Sequence, residues 1–133
     1  MNQGKVTALI LLDLSAAFDT VDQTILLHRL EHWFGITGVA LDWLKSYLLD
    51  RTQFVSTNGS LSDVAKLTCG VPQGSVLGPL LFTLYTVPLG SLLDKHDLRY
   101  HLYADDTQLF LNFDQASSSH SFDLLPSALS SVQ

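Results

Sequence analysis

The segment YHLYADDTQLFLNF, which runs from Tyr100 to Phe113, decides the fold of this chain. Its apolar residues predict two strands, at about 100–104 and 107–113, that meet at the acidic pair Asp105-Asp106. Taken alone, an acidic pair between two strands is equally typical of a polar hairpin turn. Its meaning therefore depends on the rest of the sequence.

A second apolar segment, residues 6–12, is rich in aliphatic side chains at both odd and even positions and ends at Asp13. This composition predicts a strand that is buried on both faces. By itself, Asp13 would be a helix N-cap or a turn residue. If the strand lies beside the hairpin in one small antiparallel sheet, the carboxylate of Asp13 meets those of Asp105 and Asp106 at one edge.

Three carboxylates held close together repel one another, and bound cations are needed to keep them ionised. Mg²⁺ prefers carboxylate oxygens and keeps open positions for phosphate. Two such ions about 3.5–4 Å apart can activate a hydroxyl group and stabilise a leaving pyrophosphate, which is the chemistry of nucleotidyl transfer. Asp13, Asp105 and Asp106 are therefore the candidate catalytic and metal-binding residues, with Mg²⁺ as the expected cofactor and Mn²⁺ as its substitute.

Helical spacing of apolar residues predicts three helices, near residues 23–34, 38–49 and 76–93. Asp22 is the expected N-cap of the first helix and Thr37 that of the second. Pro88 lies within the third segment and should bend or end that helix.

The Asn58-Gly59 dipeptide, inside the alternating segment 53–62, predicts a tight hairpin. It also begins a formal glycosylation sequon, but a hairpin turn is the simpler interpretation without a secretory route. Residues 64–68 predict a short strand that leads into the loop GVPQGS at 70–75.

The charge balance argues against an independent nucleic-acid binder. The 133 residues include 7 Lys+Arg and 13 Asp+Glu, a formal net charge of -6, and the cations are scattered along the chain. Because phosphate contacts need clustered cations, we expect only weak binding of nucleic acid by this chain alone.

The length suits one domain, which we expect over residues 1–114, followed by a loose serine-rich tail over 115–133. Cys69 is the single cysteine and cannot form an internal disulfide. No run approaches the ~20 apolar residues that span a bilayer, and Asp13 interrupts the N-terminal apolar run, which has no small-residue cleavage site. We therefore expect no membrane association and an intracellular location, in the cytoplasm or the nucleus.

Three stretches together resemble the palm motifs of reverse transcriptases, in the order that this family has. They are LDLSAAFD (12–19), GVPQGS (70–75) and YADD (103–106). The longer strings at 11–27 and 69–82 resemble the enzymes of non-LTR (LINE-type) retrotransposons in particular. The resemblance covers about residues 6–113 and implies an α+β polymerase palm, with a small antiparallel sheet packed on helices.

The resemblance also implies residue roles. Asp13 and Asp105 would ligate both metal ions, the backbone carbonyl of Leu14 would contribute to one of them, and Asp106 would be the more peripheral acid. Phe18 aligns with the aromatic steric gate that favours dNTPs over NTPs, although ordinary core packing would also explain it.

Further roles concern the nucleotide and the primer–template. The resemblance places Gln73 and Gly74 against the incoming nucleotide and template, and Pro72 beside the primer–template. Tyr103 and Ala104 would lie beneath the primer terminus. Gly70 and Gly74 would allow the backbone to approach a ligand closely.

The implied partners are an RNA template, a DNA primer and dNTPs, in a full-length parent. We expect the fingers that precede the first motif in the family, and the thumb that follows the palm, to be missing. No Lys or Arg follows Arg99, so we expect this chain to lack the triphosphate clamp. It should bind Mg²⁺ weakly and show no measurable polymerisation by itself.

Four other classes of protein share some of these features. A viral RNA polymerase palm centres its second motif on Ser-Gly, whereas this one carries Pro-Gln-Gly. Group II intron maturases share the tyrosine-initiated acidic pair and stay an alternative.

A zinc peptidase is a third alternative, because His28, Glu31 and His32 fit the H-x-x-E-H string of that class. Such short strings arise by chance, and no third zinc ligand is evident. A solvated helix face is therefore the preferred interpretation. A non-catalytic remnant of a mobile element would use its exposed sheet edge and apolar helices for self-association or for a protein partner.

Overall fold

The computed structural model describes residues 5–114 of the chain. The predicted tail at 115–133 lies outside these residues. Within them the elements, in chain order, are β1 (Lys5–Leu12), α1 (Gln23–His32), α2 (Gly38–Leu48), β2 (Thr52–Gln53), β3 (Ser56–Thr57), β4 (Ser60–Leu61), β5 (Ala65–Lys66), α3 (Gly78–Lys95), β6 (Arg99–Tyr103) and β7 (Asp106–Asp114).

The described residues form two compact units. We call residues 5–15 with 86–114 the sheet unit and residues 16–85 the helical unit. The helix α3 begins in the helical unit and ends in the sheet unit. The predicted mixture of helices and small antiparallel sheets is confirmed.

The sheet unit is built on a three-stranded antiparallel sheet in the order β1-β7-β6. Buried Leu109 and Leu111 on β7 pack with Leu93 and Leu98, and partly buried Ile10 on β1 joins the same cluster. Because side chains alternate between the faces of a strand, this core covers only one face of the sheet.

The expectation that β1 is buried on both faces is wrong. Leu9 and Leu11 are 53% and 68% exposed, whereas Ile10 packs into the core of the sheet unit. The aliphatic composition indicated a strand, but it did not distinguish a covered face from an open one.

The helical unit is held together by a cluster of buried side chains from its helices, which includes Leu26, Leu30, Leu48 and Phe82. Asp22 is the N-cap of α1, as predicted, because its carboxylate accepts hydrogen bonds from the backbone N–H groups of Thr24 and Ile25 at 2.8 and 2.9 Å. Thr37 occupies the N-cap position of α2 without a capping bond from its side chain.

Three local predictions for this part of the chain have clear outcomes. Asn58 and Gly59 both have positive φ, +47° and +80°, and connect β3 to β4 in a two-residue turn. Pro88 lies inside α3 and does not end it, since the helix continues to Lys95. The expected strand at 64–68 is limited to Ala65–Lys66.

Candidate functional site

The acidic residues of the sheet unit lie at one edge of its sheet. The register pairs Leu12, the last residue of β1, with Thr107. Asp13 is the next residue of the first chain segment, and Asp106 is the first residue of β7. Paired strands are about 4.7–4.9 Å apart, which is the spacing of the backbones at Leu12 and Thr107. Asp13 is one residue further along the chain than Leu12.

The hairpin between β6 and β7 presents the other acid. Tyr103 pairs with Asp106, so the loop consists only of Ala104 and Asp105. Ala104 has φ +51°, a left-handed conformation that costs a non-glycine residue roughly 1–2 kcal/mol. Tyr103 and Asp106 share a face of the sheet, and Tyr103 is 73% exposed.

The chemistry of the acids suits a hard divalent cation, because carboxylate oxygens are the ligands that Mg²⁺ and Mn²⁺ prefer. Asp13 and Asp106 are exposed, and Asp105 is half-buried. No group of three or more His, Cys, Asp or Glu side chains within residues 5–114 is gathered closely enough to hold an ion. The strand register brings the backbones of Asp13 and Asp106 next to each other, but the side chains of the three acids are not clustered around a common point.

The helical unit contains a cavity of about 300 Å³ beside the predicted nucleotide residues. Phe18, Pro72, Gln73 and Gly74 all line it. Phe18 also packs against the core, with its ring centroid 4.9 Å from that of Phe82. Core packing and a place in the cavity wall are thus compatible for this aromatic ring.

The two loops that form this cavity are tied together through their backbones. The N–H of Gly70 donates to the carbonyl of Val21 at 2.7 Å, and the N–H of Val71 donates to that of Phe18 at 2.8 Å. The buried side chain of Gln23 donates to the Gly70 carbonyl at 3.0 Å. These bonds fix the position of the Pro72-Gln73-Gly74 segment relative to Phe18.

Gly70 makes a close contact within the chain that favours glycine. Its φ is +88°, and a Cβ at this residue would lie 3.1 Å from the Cα and carbonyl oxygen of Asp19. Both the dihedral angle and the close approach disfavour a side chain at this residue. Close packing against Asp19 is thus a reason for glycine at this residue, and the approach of a ligand to Gly70 stays a prediction.

Two polar residues of this region were not among the predicted site residues. Gln23 holds the Gly70 carbonyl, and Asp19 accepts hydrogen bonds from the Gln73 amide nitrogen at 2.9 Å on each carboxylate oxygen. Each partner is about 50 residues away in sequence, so no local spacing could indicate these contacts. The only signal was that Asp19 and Gln73 fall within the first and second motifs.

His28 and His32 lie on the exposed face of α1 with stacked rings, whose centroids are 4.2 Å apart. The Nδ1 atom of His32 is 3.0 Å from the His28 carbonyl oxygen, and it is 4.0 Å from Glu31 Oε2. This is the solvated face that we predicted.

The helices, the small antiparallel sheets and the three motifs together define a reverse transcriptase domain. The model of the family described as reverse transcriptase (RNA-dependent DNA polymerase) matches residues 1–132. The chain therefore belongs to the reverse transcriptase family. Among residues 5–114, no helix combines the length and apolar character required to cross a membrane.

Curated relatives are polymerases of mobile elements. The chain is 36% identical over 101 residues to the RNA-directed DNA polymerase from mobile element jockey of Drosophila melanogaster, a match that covers 72% of the chain and 11% of the relative. It is 35% identical over 105 residues to the probable RNA-directed DNA polymerase from transposon BS of the same species, covering 75% and 11%. The probable RNA-directed DNA polymerase from transposon X-element, also of that species, is 40% identical over 75 residues, covering 56% and 8%.

These matches confirm the resemblance to non-LTR retrotransposon reverse transcriptases and do not favour the peptidase or the non-catalytic interpretation. The chain spans about a tenth of the length of the relatives that it matches.

Proposed function

We propose that this chain is the catalytic palm of an RNA-directed DNA polymerase that extends a DNA primer on an RNA template with dNTPs. One observation carries the proposal: the sheet register, with Leu12 opposite Thr107, brings the end of β1 to the start of β7, so that Asp13 and Asp106 meet at one edge. Membership of the reverse transcriptase family supports it.

In this proposal Asp13, Asp105 and Asp106 hold two Mg²⁺ or Mn²⁺ ions, with the backbone carbonyl of Leu14 as a further ligand of one. The ions, when bound, activate the primer hydroxyl as a nucleophile and neutralise the leaving pyrophosphate. The protein's contribution would be to hold the three carboxylates at the end of β1 and at the β6–β7 hairpin, which belong to one sheet.

The cavity of the helical unit would hold the incoming nucleotide. Phe18 would crowd a ribose 2′-hydroxyl, and Gln73 and Gly74 would contact the nucleotide and template. Pro72 shares that cavity wall, and we assign it to the primer–template. Tyr103 and Ala104 at the hairpin would support the primer terminus, and the 73% exposure of Tyr103 leaves its ring free for such a contact.

The charge of the chain limits what it does alone. With 7 Lys+Arg against 13 Asp+Glu, the chain has a formal net charge of -6, which opposes strong contact with a nucleic-acid backbone. We propose that the longer polymerase supplies a positive surface for this contact, and that the protein acts inside the cell.

The test is primer extension by a full-length element polymerase that carries this domain, with an RNA template, dNTPs and Mg²⁺. Asp13→Asn and Asp105→Asn should each reduce synthesis below detection, because a neutral amide cannot hold the metal pair. Asp63→Asn, at an exposed residue, makes the same charge change and should preserve activity. Normal synthesis by both Asp13→Asn and Asp105→Asn would show the proposal to be wrong.

A further inference from the structure

The contact between Asp19 and Gln73 has a chemical consequence for the cavity. The Gln73 side-chain nitrogen lies 2.9 Å from both carboxylate oxygens of Asp19. A carboxylate in its ionised form only accepts hydrogen bonds, so the amide of Gln73 must turn its NH₂ group toward Asp19. If the Gln73 amide were flipped, its oxygen would face a carboxylate oxygen of Asp19, and neither atom could donate a hydrogen bond.

The amide oxygen of Gln73 is left free by this arrangement. It accepts no hydrogen bond from the residues that the structure describes, and Gln73 lines the cavity with Phe18 and Gly74. The neighbouring Ser75 hydroxyl is already committed, since it donates to the Pro72 carbonyl at 2.7 Å and accepts from the N–H of Gly78 at 3.0 Å. With its NH₂ group turned to Asp19, Gln73 can offer a ligand in this cavity its amide oxygen, which is an acceptor with no partner among the described residues.

The side chains of Asp19 and Gln73 are exposed, and hydrogen bonds beneath them hold their two loops together. Both residues sit on loops joined by the two backbone bonds of Gly70 and Val71 and by the buried bond of Gln23. The close approach of Gly70 to the Asp19 backbone fixes the point from which the Asp19 side chain extends.

We propose that Asp19 is a positioning residue that locks the Gln73 amide in one orientation, so that its oxygen accepts a hydrogen bond from a hydroxyl or amino group of the bound nucleotide. The inference rests on the proposed nucleotide role of this cavity. It adds a residue that does not touch the substrate and defines which kind of group the substrate must present.

The decisive variant is Asp19→Asn, which keeps size and shape but is both donor and acceptor. The substituted amide can bond Gln73 in either orientation, so the lock is lost without a cavity or a clash. Asp19→Glu keeps the acceptor-only chemistry on a longer side chain and is the rescue variant. Asp63→Asn is the control for loss of one negative charge at an exposed residue.

The measurement is NMR on the full ¹⁵N-labelled chain with Mg²⁺ and dATP. The Gln73 side-chain amide signals of the wild type should differ in chemical shift from those of Asp19→Asn, because only in the wild type do the amide hydrogens face a carboxylate. The dissociation constant for dATP should rise roughly five- to tenfold in Asp19→Asn and stay near wild type in Asp19→Glu and Asp63→Asn. A thermal unfolding midpoint close to wild type in Asp19→Asn would exclude loss of fold as the cause.

Two ligand arms identify the donor. The affinity difference between wild type and Asp19→Asn is measured again with two dATP analogues. If the difference disappears with 2′,3′-dideoxyadenosine triphosphate, the sugar hydroxyl is the donor to Gln73. If it disappears with a deoxypurine triphosphate that lacks the amino group of adenine, the base is the donor. The inference would be overturned if wild type and Asp19→Asn had equal affinity for dATP, or if the Gln73 side-chain amide had the same chemical shifts in both proteins. Either result would leave the nucleotide role of the cavity intact. Because we expect weak binding by this chain, dATP is titrated to millimolar concentrations. The absence of any dATP-dependent shift of Phe18, Gln73 or Gly74 signals at those concentrations would overturn the nucleotide role of the cavity, and the inference with it, even if the amide is locked.

Discussion

The side-chain amide of Gln23 donates a buried hydrogen bond of 3.0 Å to the carbonyl oxygen of Gly70. Gln23 is 4% exposed and Gly70 is buried as well, so water is a poor substitute donor for this carbonyl. Gln23→Met keeps the length of the side chain but leaves the oxygen unpaired. We expect the free energy of unfolding to fall by about 1–3 kcal/mol, which is the usual cost of a buried unsatisfied acceptor.

Urea denaturation monitored by circular dichroism measures this loss. Gln53→Met is the matched control, because Gln53 is exposed on β2 and its substitution should change stability by less than about 0.5 kcal/mol. Equal urea midpoints for the two variants would mean that the Gln23 bond does not hold the loops together.

Gly70 itself offers a second test, in which two effects can be separated. Gly70→Ala introduces a left-handed alanine, which costs roughly 1–2 kcal/mol, and also places a Cβ 3.1 Å from backbone atoms of Asp19. Gly35→Ala has the same dihedral problem, with φ +67°, but meets nothing within 4 Å.

We therefore expect Gly70→Ala to be less stable than Gly35→Ala by at least about 1 kcal/mol, because backbone atoms cannot move aside as a flexible side chain can. The two variants are compared by urea denaturation at one temperature. A Gly70→Ala protein that is as stable as Gly35→Ala would show that the loop accommodates the methyl group.

Local chemistry accounts for the features that could be predicted from the sequence. The turn at Asn58-Gly59 requires two positive φ angles, which few other dipeptides tolerate, and the cap at Asp22 depends on N–H groups only two and three residues away. The acid-ended strands were also predictable, since an aliphatic run stops at Asp13 and a tyrosine-containing apolar segment stops at Asp105 in the sequence.

The features that could not be predicted depend on tertiary contacts. The open face of β1 at Leu9 and Leu11 reflects how many elements cover the sheet, and strand composition does not contain that information. The bonds of Asp19 and Gln23 join loops about 50 residues apart. The roles of Asp13, Asp105 and Asp106 in metal binding stay a prediction.

The surroundings of Tyr100 predict that the free energy of unfolding falls at alkaline pH. The Tyr100 hydroxyl donates to Asp94 Oδ2 at 3.3 Å, and burial, followed by the negative charge of Asp94 and this hydrogen bond, raises the pKa of Tyr100 above its ordinary value of 10.0. The folded chain therefore keeps the proton at a pH where the unfolded chain has lost it. The stabilisation is complete below pH 10.0 and is lost as the pH rises through the higher pKa of the folded state.

Urea denaturation at a series of pH values from about 9 upward tests this sign. Wild-type stability should decline above pH 10 more steeply than that of Tyr100→Phe, which lacks this phenol. Asp94→Asn should lower the pKa of Tyr100 and shift the decline toward lower pH. Parallel curves for wild type and Tyr100→Phe would refute the contribution of this phenol.

The acid edge can be tested without polymerase activity by using Mn²⁺ as a paramagnetic probe of the 133-residue chain. If Asp13, Asp105 and Asp106 share an ion, NMR signals of Leu12, Asp13 and residues 104–107 should broaden first.

A divalent ion and one carboxylate about 4 Å apart attract each other by about 2 kcal/mol even in water, so Asp13→Asn should weaken binding by at least about tenfold. Asp63→Asn should leave the broadening at residues 104–107 unchanged, because its carboxylate lies on the β4–β5 connection of the helical unit. Broadening that centres on Asp94 and Asp97 instead, or that persists at wild-type affinity in Asp13→Asn, would place the cation away from the edge where β1 and β7 meet.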